Sequence, residues 1–159
     1  MRLLFVCCGN TCRSPMAARL AQKMLKGHVQ AESAGIAPSR DRATDGAIRV
    51  MAEEGIDLSD HRPRDVADLS LDDFDYVVGM DPSVHRYIKK HCRIAPNRLI
   101  SWDIDDPYGQ ETDAYTRCIQ AIGSHIKDLV TQLGLPSAEN RPRRPMKRTS
   151  TTKSGSDAV

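Results

Sequence analysis

The stretch that decides the fold is Cys7-Cys8-Gly9-Asn10-Thr11-Cys12-Arg13-Ser14. It follows an aliphatic and β-branched run, residues 2–6, of the kind that forms a short buried strand. Pro15 comes directly after it and opens a helical pattern of apolar residues at Ala17, Leu20, Ala21 and Leu25. Proline suits the first turn of a helix because its missing N–H would have no partner there. The sequence therefore predicts a strand, a loop and a helix, with the loop at the helix N-terminus.

The same alternation continues along the chain. Further strands are predicted over residues 29–34, 75–80 and 98–101, and further helices over residues 44–54, 82–91 and 111–133. The last helix has one apolar face, made by Ala114, Cys118, Ile122, Ile126, Leu129 and Leu133. Alternating strands and helices are typical of an α/β domain. At 159 residues the chain has room for one such domain.

The composition is that of an ordinary globular protein, with 40% apolar and 28% charged residues. No apolar run is long enough to span a membrane, and the first residues lack the features of a signal peptide, so a cytoplasmic location is expected. Residues 136–159 lose all periodicity, which predicts a disordered tail after a domain of residues 1–135. The tail has six basic residues against two acidic ones, which leaves residues 1–135 with a net charge of −2 when the whole chain has +2. This distribution predicts no nucleic-acid partner, and a monomer is expected.

The loop has the residues that a phosphate-binding site needs. Successive backbone N–H groups at the positive end of a helix form a concave site for an anion. Gly9 and Asn10 readily adopt the left-handed backbone angles that such a loop requires. Arg13 supplies a planar fork able to hold two oxygens of a phosphoryl group. The predicted phosphate-binding residues are Cys8, Gly9, Asn10, Thr11, Cys12, Arg13 and Ser14.

Cys7 is the candidate nucleophile. It ends the predicted strand at the bottom of the loop, where the N–H groups, the helix and Arg13 favour the thiolate over the thiol. A thiolate that attacks phosphorus forms a cysteinyl-phosphate intermediate, and Ser14 is placed to donate a hydrogen bond to its sulfur. This chemistry requires no metal and no other cofactor. The competing interpretation is a structural cysteine beside a surface arginine, and the flanking strand, glycine and proline-started helix argue against it.

Residues 6–17, Val-Cys-Cys-Gly-Asn-Thr-Cys-Arg-Ser-Pro-Met-Ala, closely resemble the loop of the low-molecular-weight protein tyrosine phosphatases. The resemblance covers residues 1–135 and recurs at residues 32–35, 55–62, 75–81 and 105–109. It implies a three-layer α/β sandwich with a four-stranded parallel sheet and the loop at the carboxyl end of the first strand. It also implies a hydrolase whose partners are phosphorylated proteins.

A leaving group needs a proton, and Asp106 is the candidate general acid and later base. In the family this role belongs to the Asp of an Asp-Pro-aromatic motif, which here is Asp106-Pro107-Tyr108. By chemistry alone Asp103 and Asp105 are rivals, and an Asp-Pro pair is also common in turns. Tyr108 is expected to line the mouth of the substrate pocket, where its ring suits an aromatic substrate.

Three positions depart from the tyrosine-specific pattern of the family. Thr11 stands where those enzymes usually have a branched apolar residue, Gly109 stands where they have a second aromatic, and residues 39–41 contain no tryptophan. Thr11 resembles the branch of the family that dephosphorylates arginine in proteins, because its hydroxyl is able to position a guanidinium or a water. Phosphotyrosine is the expected substrate, and phosphoarginine is the alternative.

The other cysteines raise the question of redox chemistry. Cys12 is near enough to Cys7 in sequence to form a reversible disulfide with it, and it is equally well explained as a small packing residue. Cys8, Cys92 and Cys118 are interpreted as packing cysteines, and the cysteine spacing fits no metal site.

Two other classes of protein compete with the phosphatase. Arsenate reductases share the fold and loop but relay electrons through two further cysteines, and Cys92 and Cys118 lie too far apart in sequence for one relay segment. An inactive phosphoprotein-binding module would not need Cys7, Arg13 and Asp106. The basic residues that follow the second helix are expected to be solvated and not catalytic: His61, Arg62 and Arg64.

Overall fold

A computed structural model describes residues 1–136 of the chain. Apart from Pro136, the predicted basic tail lies outside the described residues. The strands are β1 (Arg2–Cys7), β2 (Gln30–Gly35), β3 (Tyr76–Gly79) and β4 (Leu99–Ser101). The helices are α1 (Arg13–Met24), α2 (Asp45–Glu53), α3 (Pro82–His91) and α4 (Thr112–Leu133), and short 3₁₀ turns precede β3 and β4.

The four strands form one parallel sheet in the order β2-β1-β3-β4, which confirms the predicted α/β fold. Cys7 is in register with Gly35, and Val6 is in register with Gly79. The carboxyl ends of the strands therefore meet at one edge of the sheet. The loop from Cys8 to Cys12 lies at this edge, where parallel sheets place their ligands.

Side chains of the sheet alternate between two apolar layers, as the two-residue period of a strand requires. Leu3 and Phe5 of β1 pack in the larger layer, against α1, α2 and α4. Leu4 and Val6 pack in the smaller layer, with Val84 and Ile88 of α3. Helices therefore cover both faces of the sheet, and the predicted three-layer arrangement is correct.

Side-chain caps explain where the helices begin. The Thr44 hydroxyl accepts a hydrogen bond from Ala47 N–H, and Asp81 accepts one from Val84 N–H at the start of α3. Gly134, with φ of +64°, ends α4 in the left-handed conformation. Most predicted boundaries differ from the observed ones by one residue, because the periodic pattern fades where these caps take over. No helix among residues 1–136 is both long and apolar enough to cross a membrane.

Candidate active site

The loop between β1 and α1 is concave and is anchored by Asn10. Asn10 is fully buried and has a φ of +55°, the left-handed conformation that the sequence predicted for it. The same prediction was wrong for Gly9, which does not have a positive φ. Asparagine tolerates this conformation because its short amide forms local hydrogen bonds. One residue therefore makes the turn that wraps the loop.

Every polar group of Asn10 has a partner. Its Nδ2 donates to Ser14 Oγ at 2.8 Å and to Ser33 Oγ at 2.9 Å. Its Oδ1 accepts from the Arg64 backbone N–H at 3.0 Å, and its carbonyl oxygen lies 2.7 Å from His61 Nε2. Because these partners come from three separate segments, namely α1, β2 and residues 61–64, the conformation of the loop is fixed by tertiary structure.

Cys7 lies at the bottom of the loop, with 3% of its surface exposed. The Asn10 backbone N–H donates to its sulfur at 3.2 Å, and Ser14 Oγ lies 2.9 Å from the sulfur. The Ser14 oxygen already accepts from the Asn10 side chain, so its single hydrogen is free to point at Cys7 Sγ or at the Ala34 carbonyl 3.2 Å away. Two donors thus stand ready to stabilise a thiolate at this position.

Several N–H groups of the loop are not used by the protein. Within residues 1–136, the N–H groups of Gly9, Thr11 and Cys12 donate to no backbone or side-chain acceptor. They belong to a loop that ends at the first turn of α1, where the helix dipole is positive. Unused donors around a concave loop are what a tetrahedral oxyanion needs.

Arg13 is the first residue of α1 and is 3% exposed. Its Nη1 donates to Asp81 Oδ2 at 2.7 Å and to the Ile104 carbonyl at 3.0 Å. Its Nη2 lies 3.5 Å from Asp106 Oδ2. Asp81 and Ile104 therefore hold one end of the guanidinium, and the other end has a weaker partner that an incoming anion can replace.

The Asp81 carboxylate is a permanent partner for Arg13. Burial alone would raise the pKa of Asp81, but hydrogen bonds from Ser83, from the Val84 N–H and from Arg13 lower it to about 2. Asp81 is therefore ionised throughout the range in which proteins are usually assayed. No role for Asp81 was predicted from the sequence, because an Asp before a proline at a helix start is explained by capping alone.

Asp106 faces the loop across a cavity of about 230 Å³ that Cys7 and Arg13 also line. Its side chain is 49% exposed, and its Oδ1 accepts a hydrogen bond from the Tyr108 N–H at 3.1 Å. Tyr108 lines the same cavity and is 46% exposed. The rival carboxylates Asp103 and Asp105 are exposed and do not line it. The structure therefore brings together the three residues predicted to act in catalysis.

Thr11 and Cys12 also line the cavity. The Cys12 sulfur lies 3.3 Å from Thr44 Oγ1, 3.6 Å from Thr11 Oγ1 and 3.8 Å from the Tyr115 hydroxyl. Burial raises the pKa of the Cys12 thiol, and hydrogen bonds from these hydroxyls offset the effect only in part. Cys12 is a free thiol here and lines the same cavity as Cys7.

The remaining cysteines differ from one another. Cys118 is buried on α4, where burial raises its pKa to about 12, and Cys92 is half-buried at the end of α3. Cys8 is exposed and lines the cavity, so its interpretation as a packing cysteine was wrong.

Three residues that support the loop were missed in the sequence. His61 was expected to be solvated, but it is half-buried and contacts the Asn10 carbonyl. Burial lowers the pKa of His61, and the hydrogen bond to Asn10 opposes this shift only in part. The Asn10 carbonyl can only accept, so His61 Nε2 is the donor of this bond. Ser33 and Gly35 lie at the end of β2 beside Asn10. These contacts join residues more than 20 positions apart, which no local pattern reveals.

The described residues contain no group of three or more His, Cys, Asp or Glu side chains placed to hold a metal ion. The chemistry of the site instead comes from a sulfur, a guanidinium and a carboxylate around an anion-binding loop. A parallel α/β sheet with this arrangement at its carboxyl edge defines a protein that uses a cysteine on tetrahedral oxyanions.

The chain belongs to the low molecular weight protein-tyrosine phosphatase family, a family of hydrolases. The family model described as low molecular weight phosphotyrosine protein phosphatase matches residues 2–138. The probable low molecular weight protein-tyrosine-phosphatase EpsP of Ralstonia solanacearum is 35% identical over 127 residues, which cover 76% of this chain and 87% of that protein. Arsenate reductase of Brevibacillus brevis is 34% identical over 128 residues, or 79% of this chain and 90% of that protein.

Solved structures agree with this assignment. The low molecular weight protein tyrosine phosphatase from T. tengcongensis has a TM-score of 0.76 and 33% identity, over 83% of this chain and 99% of that one. The YwlE arginine phosphatase from Geobacillus stearothermophilus has a TM-score of 0.75 and 30% identity, over 84% of this chain and 92% of that one. Relatives of similar identity thus carry three different activities in their names.

Proposed function

We propose that this protein hydrolyses phosphotyrosine in proteins through a cysteinyl-phosphate intermediate. The observation that carries the proposal is the placement of the Cys7 sulfur beneath unused loop N–H groups, with Arg13 beside it and Asp106 across the cavity. In this geometry a phosphoryl group bound by the loop presents its phosphorus to the sulfur.

The first step forms a bond between Cys7 Sγ and phosphorus as the bond from phosphorus to the phenolic oxygen breaks. Protonated Asp106 donates its proton to the leaving oxygen. Arg13 binds two equatorial oxygens with the end of its guanidinium that faces the cavity, while Asp81 keeps the other end in place. The products are tyrosine and the cysteinyl phosphate.

The second step regenerates the enzyme. The Asp106 carboxylate accepts a proton from a water, whose oxygen attacks phosphorus as the S–P bond breaks. Ser14 donates a hydrogen bond to the departing sulfur, which leaves as a thiolate. Inorganic phosphate is released, and Asp106 is protonated again for the next cycle.

Arginine dephosphorylation is the second candidate, and Thr11 is the observation that favours it. Thr11 lines the cavity, and its hydroxyl lies 3.6 Å from the Cys12 sulfur. Against it, the exposed ring of Tyr108 offers a flat apolar surface that suits a phenyl group. We therefore keep phosphotyrosine first. Arsenate reduction is less well supported, because neither Cys92 nor Cys118 lines the cavity.

The test is a comparison of phosphotyrosine and phosphoarginine peptides of matched sequence. We expect faster hydrolysis of phosphotyrosine, and a phosphoarginine rate below about 1% of it would exclude the second candidate. Cys7→Ser should lower kcat at least about a thousandfold and Asp106→Asn about a hundredfold, since one removes the nucleophile and the other the acid. Full activity of Cys7→Ser would contradict the enzyme assignment. Thioredoxin-coupled turnover of arsenate would instead favour the reductase.

Further properties belong to the same proposal. We propose that Cys12 forms a reversible disulfide with Cys7 under oxidation, which its place in the same cavity supports.

The free cysteines among residues 1–136 favour a reducing compartment such as the cytoplasm. The described surface exposes few large apolar side chains, Met1 and Tyr108, which supports a monomer. Phosphorylated proteins as partners follow from the family of the chain. The net charge of −2 on residues 1–135 argues against a nucleic-acid partner.

A further inference from the structure

Arg40 is placed at the mouth of the cavity. Its guanidinium carbon lies 5.3 Å from the centre of the Tyr108 ring, and both residues line the cavity above Cys7. A guanidinium over an aromatic ring is attracted by the negative face of the ring, so Tyr108 restricts where the Arg40 side chain points. A positive charge is therefore held at one defined place on the rim.

Arg40 has no counter-ion within residues 1–136. It forms no ion pair with a described carboxylate, although the other arginine of the cavity, Arg13, contacts both Asp81 and Asp106. Arg42 lies two residues further along and is paired with Asp45 at 2.9 Å. The donors of Arg40 are therefore available to an anionic group that comes from outside the described protein.

A bound substrate brings such a group to the rim. The phosphoryl group rests on the loop at the floor of the cavity, so the side chain of a phosphotyrosine points up past Tyr108. The backbone and neighbouring side chains of the substrate then lie at the rim, beside Arg40. A planar guanidinium binds a carboxylate with two parallel hydrogen bonds, which adds orientation to attraction.

We propose that Arg40 determines substrate specificity by binding an acidic side chain next to the phosphotyrosine. This inference rests on the proposed function and adds to it the class of peptide preferred: phosphotyrosine flanked by Asp or Glu. An exposed ion pair has a modest effect, so the preference over a neutral neighbour should be about threefold to fivefold in kcat/KM and should weaken with salt. A flanking lysine should be disfavoured by a similar factor because it faces a like charge.

The experiment uses three phosphotyrosine peptides that differ only in the flanking residue, which is Glu, Gln or Lys. The ratio of kcat/KM for the Glu and Lys peptides is measured for the wild-type chain, Arg40→Met, Arg40→Glu and the matched control Arg42→Met. Methionine keeps most of the contact with Tyr108 and removes the charge. The ratio within each variant is unaffected by any general loss of activity.

We expect a ratio of about ten for the wild type and for Arg42→Met, about one for Arg40→Met, and below one for Arg40→Glu. In the wild type the ratio should fall towards one in 0.5 M salt, because the Debye screening length is then only about a few ångströms. A wild-type ratio of one, or a ratio that persists in both Arg40 variants, overturns the inference while leaving the proposed function intact. If the wild type hydrolyses none of the peptides, the proposed function fails and the inference fails with it.

Discussion

Arg13 Nη1 lies 2.7 Å from Asp81 Oδ2, and this pair connects the anion-binding loop to the start of α3. The Arg13 side chain is 4% exposed and that of Asp81 is 21% exposed, so the pair is largely shielded from solvent. Such a pair orients a guanidinium more firmly than a surface pair does. We infer that Asp81 is a positioning residue, which acts on the substrate through Arg13.

Asp81→Asn tests this role. Asparagine also caps helices, so α3 should keep its start while Arg13 loses the charge that holds it. We expect kcat/KM to fall about tenfold, mainly through kcat, because a misplaced guanidinium stabilises the transition state less well. The control is Asp72→Asn, which breaks an exposed pair with Arg98 away from the site. Equal effects of the two substitutions would contradict the positioning role.

The stability that the Arg13–Asp81 pair contributes should depend on pH. The pKa of Asp81 is about 2 in the folded chain and about 3.8 otherwise, so folding favours its charged form. The stability that this difference provides is complete above pH 3.8 and is lost as the pH falls through 2. In urea unfolding, the deficit of Asp81→Asn relative to wild type should therefore be constant from pH 8 to pH 5 and shrink towards pH 3. A deficit that does not change with pH would show that the charge is unimportant.

His61 should make stability depend on pH in a higher range. Its pKa is lowered in the folded chain by burial, so the unfolded chain takes up a proton first as the pH falls below about 6.5. The His61 contribution is thus complete above that value and declines as the pH drops through the lower folded pKa. His61→Gln keeps a donor and removes the titration, so the advantage of wild type over this variant should shrink between pH 7.5 and pH 5. An advantage of wild type over His61→Gln that stays constant across this range would contradict the role of the buried imidazole.

Gly35→Ala should disable the loop through backbone contact. A Cβ at residue 35 would lie 2.7 Å from the Cys8 carbonyl oxygen and 3.0 Å from Asn10 N. Since these are backbone atoms, the loop itself has to move, and we expect about 1–3 kcal/mol of destabilisation with a loss of phosphate binding in calorimetry. Gly123→Ala in α4 is the matched control, because its Cβ would meet Leu20 at an ordinary 3.8 Å. That control should gain about 0.5–1 kcal/mol of stability and keep its activity.

Ser14→Ala should slow the release of sulfur from phosphorus. The hydroxyl lies 2.9 Å from Cys7 Sγ, and its loss removes one of the hydrogen bonds that stabilise the departing thiolate. We expect kcat to fall by about tenfold to a hundredfold, and a burst of product to appear in rapid mixing as the intermediate accumulates. Ser33→Ala removes another partner of Asn10 without touching the sulfur, so it should produce no burst. A burst in both variants would assign the effect to the loop as a whole.

The unit from β1 through the loop to α1 was predictable because its signals are local. The apolar run of the strand, the turn at Asn10 and the helix start at Pro15 all lie within about two dozen residues. Each of them indicates the backbone conformation that its own residues prefer. Cys7 and Arg13 follow from this unit by chemistry. Asp106 was different, because its chemistry did not separate it from Asp103 and Asp105, and the family motif was needed to choose it.

The supporting residues were not predictable from the same signals. His61 contacts Asn10 across 51 positions of sequence, and Asp81 reaches Arg13 across 68. In the sequence, His61 is explained as a polar loop residue and Asp81 as a helix cap. Nothing in the sequence therefore indicated that either residue also supports the site. The order of the strands brings these segments to one edge of the sheet, and that order is a property of the whole fold.

The rigidity of Asn10 has a consequence after catalysis. Because the loop is held in its binding shape by contacts to three segments, little ordering is needed when an anion arrives. The loop recognises a tetrahedral oxyanion and has no feature that separates an ester from free phosphate. Inorganic phosphate should therefore compete with substrate, and the enzyme should slow as its own product accumulates.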